Sequence, residues 1–161
     1  MAEFSLPDLC DNHSSVLAVL APGYISYGQR QVYAGSIATV KCHEDNSLVA
    51  ERLAQPGEGR VLVVDGGGSM RCALLGDNLA LKGSENGWAG VLIYGCVRDV
   101  EILAGIDIGV HALAANPMRS VKRDTGLVDV PLHFAGVHFV PGQFLYADRN
   151  GLAVAPLDLL L

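Results

Sequence analysis

The sequence predicts a single layered β/β/α domain, and three observations carry that prediction. Two apolar runs, RVLVVD at 60–65 and GVLIYGCV at 90–97, sit between glycines and lack polar alternation. That pattern marks strands buried on both faces. Helix-compatible segments alternate with strands only before residue 128. Beyond it the chain carries strand and turn signals alone, leaving no room for the crossover helices of a doubly wound sheet. The length of 161 residues suits one domain over 1–161, with no repeat, low-complexity tract or linker.

In order, Ser5-Leu6-Pro7-Asp8 starts a helix: Ser caps, Pro is tolerated in the first turn, and the acid suits that end. Leu9 and Val16-Leu17 continue the apolar spacing across an interruption near Asn12-His13. A turn at Ala21-Pro22-Gly23 precedes a mixed stretch, then a strand over 33–42 carrying Ile37, Thr39 and Val40. Asp45-Asn46-Ser47 caps a short helix over 48–54 that Pro56-Gly57 stops. After the first buried strand come Gly66-Gly67-Gly68-Ser69 and a helical turn over 70–75. A helix over 79–85 and a turn at Asn86-Gly87 lead into the second buried strand. A short helix or turn over 100–104 and a strand over 108–115, closed by Asn116-Pro117, follow. The remaining strands fall at 128–130, 132–134, 137–140, 144–146 and 152–154, with Asp148-Arg149-Asn150-Gly151 as a hairpin loop.

Half the residues are hydrophobic and 17% are charged, enough for a sizeable core. A net charge of −6 leaves no basic stripe to neutralise phosphates, which argues against direct nucleic-acid binding. Positive mean hydropathy, +0.33, leaves room for subunit interfaces. Cys10, Cys42, Cys72 and Cys96 form no CxxC pair and read as reduced, buried side chains. No basic leader opens the chain and no window is long and apolar enough for a membrane span, so the expected location is cytoplasmic.

Gly66-Gly67-Gly68-Ser69 follows a strand, as phosphate loops do, but lacks Gly-Lys-Ser/Thr and has Arg71 where a dinucleotide fingerprint needs its last glycine. Gly76-Asp77-Asn78-Leu79 reads as a helix N-terminus. Gly76 would allow an unusual backbone angle, Asp77 would cap, and the N–H groups of Asn78 and Leu79 would be open to an anion; plain capping is the alternative. Arg98-Asp99 lies just past a buried strand, where α/β sites collect. Arg98 suits a carboxylate and Asp99 suits magnesium or manganese; a surface ion pair is the alternative. Twenty residues separate Asp77 from Arg98, and the helix and strand between them can return one end beside the other. The five histidines are scattered, no G-x-S-x-G elbow is present, and Lys41 alone suits a Schiff base.

VLVVDGGGSMRCALLGD (61–77), GWAGVLIYGCVRDV (87–100), DIGVHALAANP (107–117) and PGQFLYADRNGLAV (141–154) together resemble the regulator of ribonuclease activity A family. That family shares its fold with the class II 4-hydroxy-4-methyl-2-oxoglutarate aldolases. The resemblance implies a swivelling, phosphohistidine-domain-like fold and a ring-shaped homotrimer. It also implies one of two functions: inhibition of ribonuclease E, or metal-dependent cleavage of pyruvate aldols with decarboxylation of oxaloacetate, a small 2-oxo acid. The aldolase pattern of an Asp, twenty residues and Arg-Asp stands intact as Asp77, Arg98 and Asp99. By that resemblance Asp99 binds Mg2+ or Mn2+ directly, and Asp77 holds it through water. Asp77 and Arg98 are then the catalytic pair, with Arg98 stabilising the enolate. Gly76, Asp77, Asn78 and Leu79 receive the pyruvyl carboxylate on their backbone. Longer aldolases add a C-terminal extension whose acid reaches a neighbouring subunit's metal. No equivalent follows Asp158 here, so the large aldols are expected to suffer more than oxaloacetate.

Overall fold

The computed structural model describes residues 3–161. Ser5 caps α1 (Leu6–Asn12), its hydroxyl accepting from the Asp8 N–H at 3.4 Å. The helix ends at the predicted interruption, and Val16-Leu17 lie outside it. Two short edge pieces follow, β1 (Ala18–Val19) and β2 (Ile25–Ser26), the second within the stretch left mixed by the sequence. The long strand β3 (Tyr33–Lys41) precedes α2 (Ser47–Leu53), β4 (Val61–Asp65) and β5 (Ala73–Leu75). Then come α3 (Asp77–Glu85), β6 (Gly90–Val97), α4 (Val100–Leu103) and β7 (Gly109–Ala115). The β-rich end holds β8 (Leu127–Val128), β9 (Leu132–Phe134), β10 (Val137–Phe139), β11 (Phe144–Asp148) and β12 (Gly151–Ala155). The hairpin at 148–151 is present, with Asp148 opposite Gly151.

Three layers result. Residues 37–41 of β3 run parallel to β4, β4 runs parallel to β6, and β6 runs parallel to β7. Residues 33–36 of β3 pair instead with antiparallel β11, and β12 and β1 continue that second sheet. One face of the parallel sheet, with Val40, Leu62, Val64, Val91 and Ile93, packs on Val49 and Leu53 of α2, Ala80 of α3 and Leu103 of α4. The other face, with Ile37, Val61, Val63 and Leu92, packs on Leu145, Ala147, Leu152 and Val154 of the second sheet and on the β9–β10 hairpin. Both apolar runs are thus covered on both faces. At about 25 cal/mol per Å2 of apolar area, this sandwiching is the main favourable term of the fold.

One element departs from expectation. The helical turn expected over 70–75 is absent, and residues 73–75 form β5. The reason is tertiary. β4 stops pairing with β6 at Asp65 and Tyr94, leaving Cys96 and Val97 of β6 with an open edge. Ala73 and Leu75 fill it, opposite Cys96 and Val97, and all of β5 is buried. An apolar run this short has no period to distinguish helix from strand. No helix among the described residues is long and apolar enough to cross a membrane.

Candidate active site

Where β6 ends, the chain must leave a crowded sheet, and two residues manage the exit. The Arg98 N–H donates to the Leu75 carbonyl at 2.9 Å, extending the β5–β6 pairing by one bond. Asp99 then takes a left-handed backbone, φ 58° and ψ 42°, and serves as the N-cap residue of α4. Asp tolerates this region better than most side chains, but the geometry still costs about 1 kcal/mol. The bend sends the carboxylate back over the start of α3, where Asp99 Oδ2 accepts the Asp77 N–H at 3.2 Å.

Gly76 is the N-cap residue of α3, and the helix starts at Asp77, two residues earlier than the sequence indicates. The expected reason for a glycine is wrong. Its φ of −133° and ψ of −165° are extended and open to any residue. Space is the true constraint: a Cβ here would lie 2.6 Å from Asp99 Oδ2. Asp77 does not cap through its side chain as expected either. Its Oδ1 accepts the next N–H, that of Asn78, at 2.8 Å. In the first turn the Leu79 N–H is left without a protein acceptor among the described residues. Of the two N–H groups expected to be open, one is.

Gly76, Asp77, Asn78, Leu79, Arg98 and Asp99 line a single cavity of about 500 Å3. The distant sequence stretches therefore meet at one mouth. The surface ion pair is not formed: among the described residues the arginine–carboxylate pairs are Arg30–Asp107, Arg52–Asp129 and Arg71–Glu44. Arg98 Nη1 instead reaches the Pro117 carbonyl at 3.5 Å.

Asn46, Arg119, Ser120, Val121 and Lys122 complete the wall. Sequence reading missed them, because a loop between strands carries no period. Buried Asp45 holds that loop in place, accepting from the N–H groups of Ser47, Arg123 and Thr125 and from the Thr125 hydroxyl. Burial alone would raise its pKa, but the bonds from Ser47, Thr125 and Arg123 outweigh this and hold it well below the usual carboxylate range. Asn46 adds a reciprocal pair with the Ser120 hydroxyl and a bond from Nδ2 to the Leu74 carbonyl. The sequence offers Asp45-Asn46-Ser47 as a cap; Asn46 is the N-cap residue of α2 but makes no side-chain cap bond, and the segment's task of holding the loop was not legible.

The other candidates resolve without chemistry. The glycine loop after β4 spends its own donors: Gly66 and Gly68 on the Tyr94 carbonyl, Gly67 on Asp65 Oδ1 and Ser69 on the Gly66 carbonyl. It offers no cradle for phosphate. Lys41 is exposed, contrary to what a Schiff base requires. All four cysteines are free, and burial pushes the Cys42 thiol up to about 12. His111 is a core residue, with Nδ1 2.6 Å from the Tyr33 hydroxyl, and burial lowers its pKa to about 4.

Comparison with known proteins agrees with the fold. The family model for RraA-like proteins, described as Aldolase/RraA, matches residues 6–154. A protein of Ectopseudomonas mendocina provisionally named 4-hydroxy-4-methyl-2-oxoglutarate aldolase is 56% identical over 153 residues, covering 95% of this chain and 94% of its own. A crystal structure from Geobacillus kaustophilus, named S-adenosylmethionine: 2-dimethylmenaquinone methyltransferase, superposes with a TM-score of 0.95 at 46% identity, covering 98% of both chains. The structure of the RNA-processing inhibitor RraA from Thermus thermophilis superposes with a TM-score of 0.92 at 47% identity, covering 96% of this chain and 94% of its own. With its two-sided parallel sheet, its second β layer and a family match spanning most of its length, this chain belongs to the Aldolase/RraA family.

Proposed function

We propose that the protein is a divalent-metal-dependent lyase that cleaves 4-hydroxy-4-methyl-2-oxoglutarate-type aldols to pyruvate and decarboxylates oxaloacetate. The observation that carries this reading is the Asp99 carboxylate, bent back over the start of α3 beside Arg98 and Asp77 in one cavity. Relatives named for the aldolase, 52–58% identical over nearly the whole chain, support it.

A magnesium or manganese ion fits the residues present. Asp77 and Asp99 offer hard oxygens, and one oxygen of Asp99 has no protein donor among the described residues. No group of three or more His, Cys, Asp or Glu gathers among the described residues. One or two carboxylates with several waters is the usual magnesium arrangement. Asp99 would hold the ion directly and Asp77 through water. Bound there, the ion supplies Lewis-acid stabilisation of the charge developing on the substrate's 2-keto oxygen.

The chain's own groups do the rest. The N-terminus of α3, with the Leu79 N–H, receives the carboxylate next to the keto group. In aldol cleavage the C3–C4 bond breaks as the C4 hydroxyl loses its proton, and the electron pair passes into pyruvate enolate. In decarboxylation the same bond breaks and CO2 leaves. Arg98 sets fixed positive charge beside the enolate oxygen in both. Asp77 stands at the same mouth, and in this reading it helps take up the C4 proton through water. Protonation at C3 then releases pyruvate. Asp158, the last acid of the chain, lines a different cavity and takes no part within one subunit. The test is pyruvate release from both substrates with Mg2+ or Mn2+, with chelator, and in Asp99→Ala. Activity that survives chelation and substitution sinks the proposal.

A second reading has one specific support, the 47% identity to a protein named as an RNA-processing inhibitor. On it, a homotrimer of this chain docks on a ribonuclease such as ribonuclease E and restrains it. Its acidic balance would suit basic segments of such a partner. A pull-down and an RNA-cleavage assay decide it, and no binding at micromolar concentration removes it.

A further inference from the structure

We infer that His133 and His138 form a second metal site, a bis-imidazole pair for a late transition ion such as Zn2+, Ni2+ or Cu2+. The inference is independent of the lyase reading.

The site is built on a two-residue hairpin. Ala135 and Gly136 join β9 to β10, and both have positive φ, 54° and 78°. Two left-handed residues give a turn whose twist matches that of the strands, and this fixes the register. Phe134 lies opposite Val137, His133 opposite His138, and Leu132 opposite Phe139. In a two-residue hairpin the pair next to the turn exchanges the hydrogen bonds. The following pair, His133 and His138, is then the non-hydrogen-bonded kind, in which side chains stand closer.

Their position is also held from below. Leu132, Phe134, Val137 and Phe139 are buried while both histidines are exposed. Phe134 stacks on Phe139 at 4.4 Å and on Tyr94 at 4.9 Å, between centroids. A slip of one residue would turn both imidazoles into this aromatic cluster, so the register is strongly specified. The rings face the same side, with centroids 4.4 Å apart and planes inclined at 36°. Two imidazoles are thus presented side by side on a backbone whose register is fixed.

Ligand chemistry decides the ion. Imidazole pairs favour zinc, nickel and copper, whereas the carboxylates Asp77 and Asp99 favour magnesium and manganese. No third His, Cys, Asp or Glu joins the pair to form a larger cluster among the described residues. The remaining positions of the ion would go to water, making an open site. The molecule would then sort metals by hardness between two places.

The test is calorimetric titration of the intact protein with Zn2+ and with Ni2+, in excess Mg2+ so that Asp77 and Asp99 are occupied. One ion per chain is expected. His133→Gln and His138→Gln should each weaken binding roughly tenfold or more, at least what loss of a ligand's outer partner produces. Asp99→Asn should leave this titration unchanged. The ring resonances of both histidines should move together in NMR spectra of the wild type. Unchanged affinity in the His133→Gln, His138→Gln double variant would overturn the proposal, as would a titration abolished by Asp99→Asn. Both histidines are exposed, so unchanged thermal unfolding of the variants without metal excludes misfolding as the cause.

Discussion

A single missing methyl decides the geometry of the mouth. Gly76 is small because the Asp99 carboxylate occupies the space a side chain would need. Gly76→Ala should keep the fold, since the backbone there is extended. It should push the carboxylate away and lower kcat/KM for oxaloacetate about a hundredfold, the usual effect of a displacement near 1 Å. Steady-state kinetics beside a thermal melt will separate the two effects. His111 provides a test of pH dependence away from the mouth. Its folded pKa, about 4, lies below the ordinary 6.5 because burial disfavours the imidazolium. Between these values the unfolded chain binds the extra proton. The wild type should therefore be fully stabilised above pH 6.5 and lose stability as pH falls towards 4. His111→Asn, which keeps a hydrogen-bond partner for the Tyr33 hydroxyl, should flatten that slope in urea titrations across the window.

At the level of elements, Asp45 joins α2 to the loop that completes the cavity. Asp45→Ala would orphan the N–H groups of Arg123 and Thr125 together with the Thr125 hydroxyl. These bonds are only partly buried, so water takes up some of the lost pairing and the cost is about 1–2 kcal/mol. Urea unfolding should show that loss, faster hydrogen exchange should appear over 119–125, and KM should rise more than kcat falls. The elements also show how much the chain disclosed in advance. β4 and β6 were readable because a strand covered on both faces must be apolar throughout. Asp77, Arg98 and Asp99 were placed at one mouth because a readable helix and a readable strand separate them, Asp77 opening the helix and Arg98-Asp99 following the strand. β5 was hidden, since it exists only where β4 abandons β6. Asn46 and residues 119–122 were hidden because bonds spanning 74 to 80 positions bring them to the cavity. No local pattern records such bonds.

For the molecule as a whole, one scaffold carries three names among close relatives: an aldolase, a methyltransferase and an RNA-processing inhibitor. Fold likeness cannot choose among them, so the choice rests on the site. Chelation gives a prediction at this scale. If Mg2+ binds only the folded state, a hundredfold excess over its Kd adds about 2.7 kcal/mol to stability. Differential scanning should show that gain in the wild type and not in Asp99→Ala, whatever substrate the enzyme uses.

β3 belongs to both sheets, and this has a consequence for the birth of the protein. Its first half waits for β11, a partner more than a hundred positions downstream. During synthesis the ribosome finishes β3, β4, β6 and β7 long before it releases residues 144–155. Until then Ile37, Val61, Val63 and Leu92 have nothing from the second sheet to cover them. Nascent chains halted before Phe144 should bind chaperones and precipitate when released, whereas full-length chains should not. Once β11 has docked, the two sheets share one backbone and come apart only together. Amides from both halves of β3 should then exchange at a single slow rate, that of opening the entire molecule.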